Sequence, residues 1–129
     1  MVRLIKRFAR CVKTNAINLV QWHWMSQGFN RLSLVAGVHF LEDAPAKSVA
    51  YKTAAVNLSD LAAMGAEPAW ISLSLSLPTV NDEWLSEFVD GLYELTQYYS
   101  VQLIGGDTVK GPMAMTITAQ GFIPPGSEL

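Results

Sequence analysis

Acid is what the start of this sequence lacks. Residues 1–40 contain no Asp or Glu, although the 129-residue chain carries eleven acids, and they hold Arg3, Lys6, Arg7, Arg10, Lys13 and Arg31. The rest of the chain has only Lys47, Lys52 and Lys110 as fixed bases, so a net charge of −2 conceals a basic opening and a strongly acidic remainder. Soluble domains rarely change composition this abruptly, which divides the sequence into an atypical basic segment, residues 1–33, and a domain over residues 34–129.

Other scarcities narrow the class. A single cysteine, Cys11, excludes an intramolecular disulfide framework and suits a reducing cytoplasm. No apolar run approaches the roughly 18 residues of a membrane-spanning helix, so no membrane role is expected. A Ser/His/Asp set, zinc-ligand spacing and a Gly-x-x-x-x-Gly-Lys phosphate loop are missing, as are internal repeats and low-complexity stretches. Apart from the basic opening nothing supports nucleic-acid binding. With half its residues hydrophobic and 16% charged, the chain can bury one globular core.

From residue 41 onward the elements are readable. Asp43 and Pro45 start a helix, because proline in a first turn forfeits no needed N–H; the helix runs to about Met64 and stops at Gly65. Ile71, Leu73, Leu75 and Leu77 then alternate with Ser72, Ser74 and Ser76, the period of a strand with one apolar and one polar face. Its serine side is either solvated or set against a partner chain's sheet.

Pro78 ends that strand, and Asn81 or Asp82 caps a second helix. Trp84, Leu85, Phe88, Val89, Leu92, Leu95 and Tyr99 give this helix one apolar face. Residues 101–104 read as a short strand feeding into Gly105-Gly106-Asp107-Thr108. After a Gly111-Pro112 turn, residues 113–122 read as a last strand, and residues 34–40 as a first one. The order predicts an α+β fold, a mixed or antiparallel sheet with two helices packed on one face.

Few residues can carry chemistry. Glycines let backbone N–H groups approach phosphate oxygens, and a carboxylate beside them, as Asp107 is, can hold the Mg2+ that bridges those oxygens. Tight turns use the same residues. Asp60 sits on a helix otherwise made of Ala, Val, Leu and Met, three residues after Asn57, where the two share a face with Thr53. A carboxylate there needs a base, a helix N-terminus or a metal, unless it is a solvated cap. His39 ends the candidate first strand and is either a hydrogen-bonded packing residue or a ligand. His23, between Trp22 and Trp24, carries less signal. Tyr98 and Tyr99 close the second helix as core or rim residues, or stack on a base.

These residues fall into a run of motifs. The helix from Val56 to Ala66, with Asn57-Leu58-Ser59-Asp60 inside it, closely resembles the signature helix of bacterial thiamine-monophosphate kinases. So do Gly37-Val38-His39-Phe40, Gln102-Leu103-Ile104-Gly105-Gly106-Asp107-Thr108 and Gly111-Pro112 with Met115-Thr116. Pro68-Ala69-Trp70 and the Trp84 helix fall at the family's spacing as well. The match runs from about Leu34 to Leu129.

The resemblance implies a fold like the N-terminal domain of aminoimidazole ribonucleotide synthetase, with sheets paired across a homodimer. It implies ATP-dependent phosphorylation of thiamine monophosphate to thiamine diphosphate, with Mg2+ and ATP as cofactors. It also implies roles: Asp60 and Asp107 on magnesium, Gly106 and Asp107 at ATP, His39 at the thiamine phosphate.

The family pattern breaks in three places. A Gly-Ile-Gly-Asp-Asp loop and a Ser-Thr-Asp strand should precede Gly37, but residues 1–33 contain no aspartate. Codons for Phe29-Asn30-Arg31-Leu32 can be chosen so that the +1 frame reads Ser-Thr-Asp-Ser, which makes a frameshifted or misassembled gene one explanation. Coding DNA that cannot yield Ser-Thr-Asp there in another frame removes it. A second explanation is a presequence or membrane-surface helix, since Leu4, Ile5, Phe8, Cys11 and Val12 recur at helical spacing among arginines. At the other end the chain stops before the family's second domain, so a truncated enzyme or a non-catalytic, dimerising remnant is expected.

Overall fold

A computed structural model of the protein describes residues 26–125. The helical spacing around Cys11, the tryptophans flanking His23 and the presequence reading lie outside the described residues.

Four strands form one mixed sheet in the order β1 (Ser26–Val35), β4 (Ala114–Ile123), β2 (Glu67–Leu77) and β3 (Gln102–Lys110). β4 runs antiparallel to both neighbours, whereas β2 and β3 are parallel. The parallel pair needs a crossover, and helix α2 (Asp82–Tyr98) supplies it. Helix α1 (Ala46–Ala63) joins β1 to β2 and packs on β1, β4 and β2; α2 packs chiefly on α1 and touches the sheet at β3.

One face of the sheet is therefore covered by helices. Ile71, Leu73, Leu75 and Leu77 of β2 and Met115, Ile117 and Ala119 of β4 are buried there against Val49, Leu61, Leu85, Phe88 and Leu92 of the helices. The alternate residues, Ser72, Ser74, Ser76, Thr116 and Thr118, lie on the other face, which is uncovered among the described residues, and are only partly buried or exposed.

Local chemistry accounts for the helix ends. Pro45 precedes α1 as an extended N-cap residue, and Asp43 does not cap it. At the C-terminus Gly65 takes φ 74°, and Gly65 N and Ala66 N donate to the carbonyls of Ala62 and Leu61, the paired bonds of a Schellman stop. Asn81 caps α2 by accepting from Trp84 N at 3.1 Å, and Asp82 and Glu83 place negative charge in its first turn.

Two strands differ from the sequence reading. The first covers Ser26–Val35 rather than residues 34–40, and the chain turns at 36–40, where Gly37 takes φ 78°. Most of β1 thus falls before residue 34, held by a continuous register from Ser26↔Ile123 to Val35↔Ala114. β3 does not stop at Ile104 but continues through the two glycines to Lys110, so Gly105-Gly106-Asp107 is strand and not a tight turn.

Candidate functional site

The glycine pair is a close-approach device. A Cβ on Gly106 would lie 2.0 Å from the carbonyl oxygen of Leu73, so only glycine lets β3 pair with β2 at that point; a Cβ on Gly105 would meet nothing within 4 Å. The register also slips here: Ile71 pairs with Leu103 and Ser72 with Gly105, leaving Ile104 as the extra residue of a bulge. Asp107 follows on the exposed edge strand, opposite Ser74.

Ser33, Thr116, Ser74 and Asp107 are successive partners across the four strands, a polar row on the uncovered face. Within it the hydroxyls of Ser33 and Thr116 are 2.7 Å apart.

Asp60 lies elsewhere. It is exposed near the end of α1, while Thr53 and Asn57, expected on its face, are fully buried against the sheet. Their polarity is satisfied internally. Thr53 Oγ1 donates to Val49 O at 2.7 Å and Asn57 Nδ2 to Thr53 O at 2.8 Å; Asn57 Oδ1 accepts from Leu32 N and Asn30 Nδ2, both at 3.2 Å. This anchor ties α1 to β1.

The Asn57 anchor and Gly106 belong to one crossing row, Leu32, Ile117, Leu73 and Gly106. Three strand spacings of about 4.8 Å separate its ends, roughly 14 Å. Within one chain Asp60 and Asp107 therefore occupy opposite flanks of the sheet and do not converge. Among the described residues no three His, Cys, Asp or Glu side chains gather as a metal cage. Exposed single carboxylates still suit Mg2+, which keeps several waters and is held by one or two carboxylates together with substrate phosphates.

His39 stands in the 36–40 turn on the β1 flank. Its ring is exposed, Nδ1 accepts from Val35 N at 2.9 Å, and its carbonyl accepts from Lys52 Nζ of α1. The structure thus brings His39 and Lys52 together, a pair with no signal in their thirteen-residue spacing. Tyr98 and Tyr99 are exposed, with rings edge to face at 4.9 Å. Among the described residues no helix is long and apolar enough to cross a membrane.

Comparison with known proteins fits this architecture. The thiamine-monophosphate kinase of Escherichia coli K12 is 57% identical over 97 residues, 75% of this chain and 30% of that enzyme. The enzyme of Haemophilus influenzae is 52% identical over 91 residues, 70% of this chain and 28% of its own length. The chain thus spans under a third of these curated relatives.

Among solved structures, thiamine-monophosphate kinase from Stenotrophomonas maltophilia superposes with a TM-score of 0.85 at 37% identity, covering 98% of this chain and 43% of that one. AaThiL complexed with AMPPCP and TMP superposes with a TM-score of 0.73 at 27% identity, covering 76% and 32%. Residues 29–123 match the family model of the AIR synthase related protein, N-terminal domain. That stretch takes in most of β1, the other three strands, both helices and His39, Asp60, Gly106 and Asp107, and the chain belongs to this family.

Proposed function

We propose that this chain carries the ATP- and Mg2+-binding N-terminal domain of a cytoplasmic thiamine-monophosphate kinase, whose reaction is ATP-dependent phosphorylation of thiamine monophosphate to thiamine diphosphate. The observation that carries this reading is the 57% identity to the Escherichia coli enzyme over 97 residues. In this reading Asp60 and Asp107 each offer one carboxylate to Mg2+, Gly106 and Asp107 border the ATP phosphates, and His39 contacts the thiamine phosphate. Such chemistry asks the protein mainly to position phosphates and neutralise their charge. The metal, when bound, supplies that charge neutralisation, and the chain's own part is to place the two carboxylates and the glycine edge.

Homodimerisation through the uncovered sheet face is part of the proposal. Its support is the polar row from Ser33 to Asp107, which neither α1 nor α2 covers. Residues 1–33 remain, in this reading, a segment set apart by composition, possessing none of the acidic ligands that the resemblance places there.

A second reading is favoured by the separation of Asp60 from Asp107 and the acid-free opening: a non-catalytic, dimerising remnant of that kinase. Assay of the purified chain with ATP, Mg2+ and thiamine monophosphate separates the two. Weak nucleotide binding with little or no thiamine diphosphate is expected of this chain alone. Turnover at an ordinary enzyme rate would contradict the expected incompleteness, and no Mg2+-dependent nucleotide binding at all would favour the remnant.

A further inference from the structure

The turn after β1 uses both polar groups of one peptide residue. The carbonyl of Val35 accepts from Val38 N at 3.1 Å and His39 N at 2.9 Å, and the N–H of Val35 donates to His39 Nδ1 at 2.9 Å. Gly37 N donates to Phe40 O at 2.8 Å, closing the loop, and Lys52 Nζ ties the His39 carbonyl to α1. The imidazole is therefore held at its backbone and at one ring nitrogen.

That bond decides where the ring proton sits. A backbone N–H can only donate, so Nδ1 is the unprotonated nitrogen and the neutral ring carries its proton on Nε2. His39 is exposed, and among the described residues no hydrogen bond engages Nε2. We propose that Val35 locks His39 in its Nε2–H tautomer, so that the side chain presents a hydrogen-bond donor to a phosphate oxygen. A phosphate monoester presents acceptor oxygens, which an Nε2–H can bond without first taking up a proton. A second ring proton would go to Nδ1, setting one N–H against another at Val35. The ligand class rests on the substrate role proposed above for His39; the lock itself rests on geometry alone.

The test reads the ring in the full, unsubstituted chain, by long-range proton–nitrogen correlation of the 15N-labelled protein at neutral pH. The expected pattern is a bare Nδ1 and a protonated Nε2. His39→Asn places an acceptor where Nδ1 was, so slow amide exchange at Val35 is expected to persist. His39→Gln places its nitrogen near Nε2 and leaves Val35 without an acceptor, so that exchange should rise about fivefold or more.

An Nδ1–H form or an imidazolium as the major species overturns the lock, as does exchange at Val35 that ignores both substitutions. Thiamine monophosphate is then titrated in. A shift of the Nε2–H resonance supports the donor role. A correct ring form with no shift contradicts the substrate role of His39, a failure distinct from failure of the lock.

Discussion

The side-chain oxygen of Asn57, fully buried on α1, accepts the backbone N–H of Leu32 at 3.2 Å. Among the described residues β1 pairs with β4 alone, and this bond ties it to α1 as well. The amide thus satisfies its own buried oxygen and docks the helix on the strand in one contact. Asn57→Ala removes this bond and empties a packed site, at a cost of about 2–3 kcal/mol. Urea denaturation of wild type and variant measures it. A loss below about 0.5 kcal/mol would mean that water replaces the amide and the anchor is dispensable.

Gly105 and Gly106 are neighbours in sequence with opposite tolerances. Gly106→Ala drives a Cβ against the Leu73 carbonyl, whereas Gly105→Ala enters open space. The expected outcome is a loss of about 1–3 kcal/mol for the first and a change within about 0.5 kcal/mol for the second. Equal midpoints in thermal or urea unfolding would show that β3 can step away from β2 at no cost.

Gly91 sets two effects against each other. In an exposed helix interior, Gly→Ala gains about 1 kcal/mol in propensity. Here a Cβ would lie 2.4 Å from the carbonyl oxygen of Lys47 on α1, and overpacking against backbone costs about 1–3 kcal/mol. Clash is expected to win, so Gly91→Ala should unfold at lower denaturant than wild type. A stabilised variant would mean that the two helices can separate slightly without loss. The nearby Lys47–Glu94 ion pair, at 3.3 Å and well exposed, contributes little to holding them together.

Much of this fold is legible in sequence because local chemistry and tertiary packing agree. The alternation of Ile71 to Leu77 with serines, the Asn81 cap and the Gly65 stop each name their element, and each is found in place. Disagreement arises where tertiary contacts override local pattern. Residues 26–33 lack clean alternation, so nothing local announces that they pair with β4 across some ninety residues of chain. Gly105 and Gly106 look like a turn because glycine usually supplies positive φ, but here it supplies close approach inside a strand. Asn57 and Asp60 share a spacing on paper, yet burial separates them, because the sheet covers the Thr53–Asn57 side of α1 and not the side bearing Asp60. Of the candidate site, the residue types and the glycine edge are readable from sequence. The Val35–His39 bond, the Lys52 contact and the wide spacing of the two aspartates follow only from topology.

The most direct test of the central claim is ATP binding to the full chain with and without Mg2+, for wild type and Asp107→Asn, by calorimetry or equilibrium dialysis. Binding is expected to be weak, to require Mg2+ and to fall at least about tenfold, some 1.4 kcal/mol, in the variant. Asp107 is exposed on an edge strand, so the substitution should leave folding intact, which the unfolding midpoint checks. Binding that ignores Mg2+, or that Asp107→Asn leaves unchanged, would contradict the assignment of this domain to magnesium-assisted nucleotide binding.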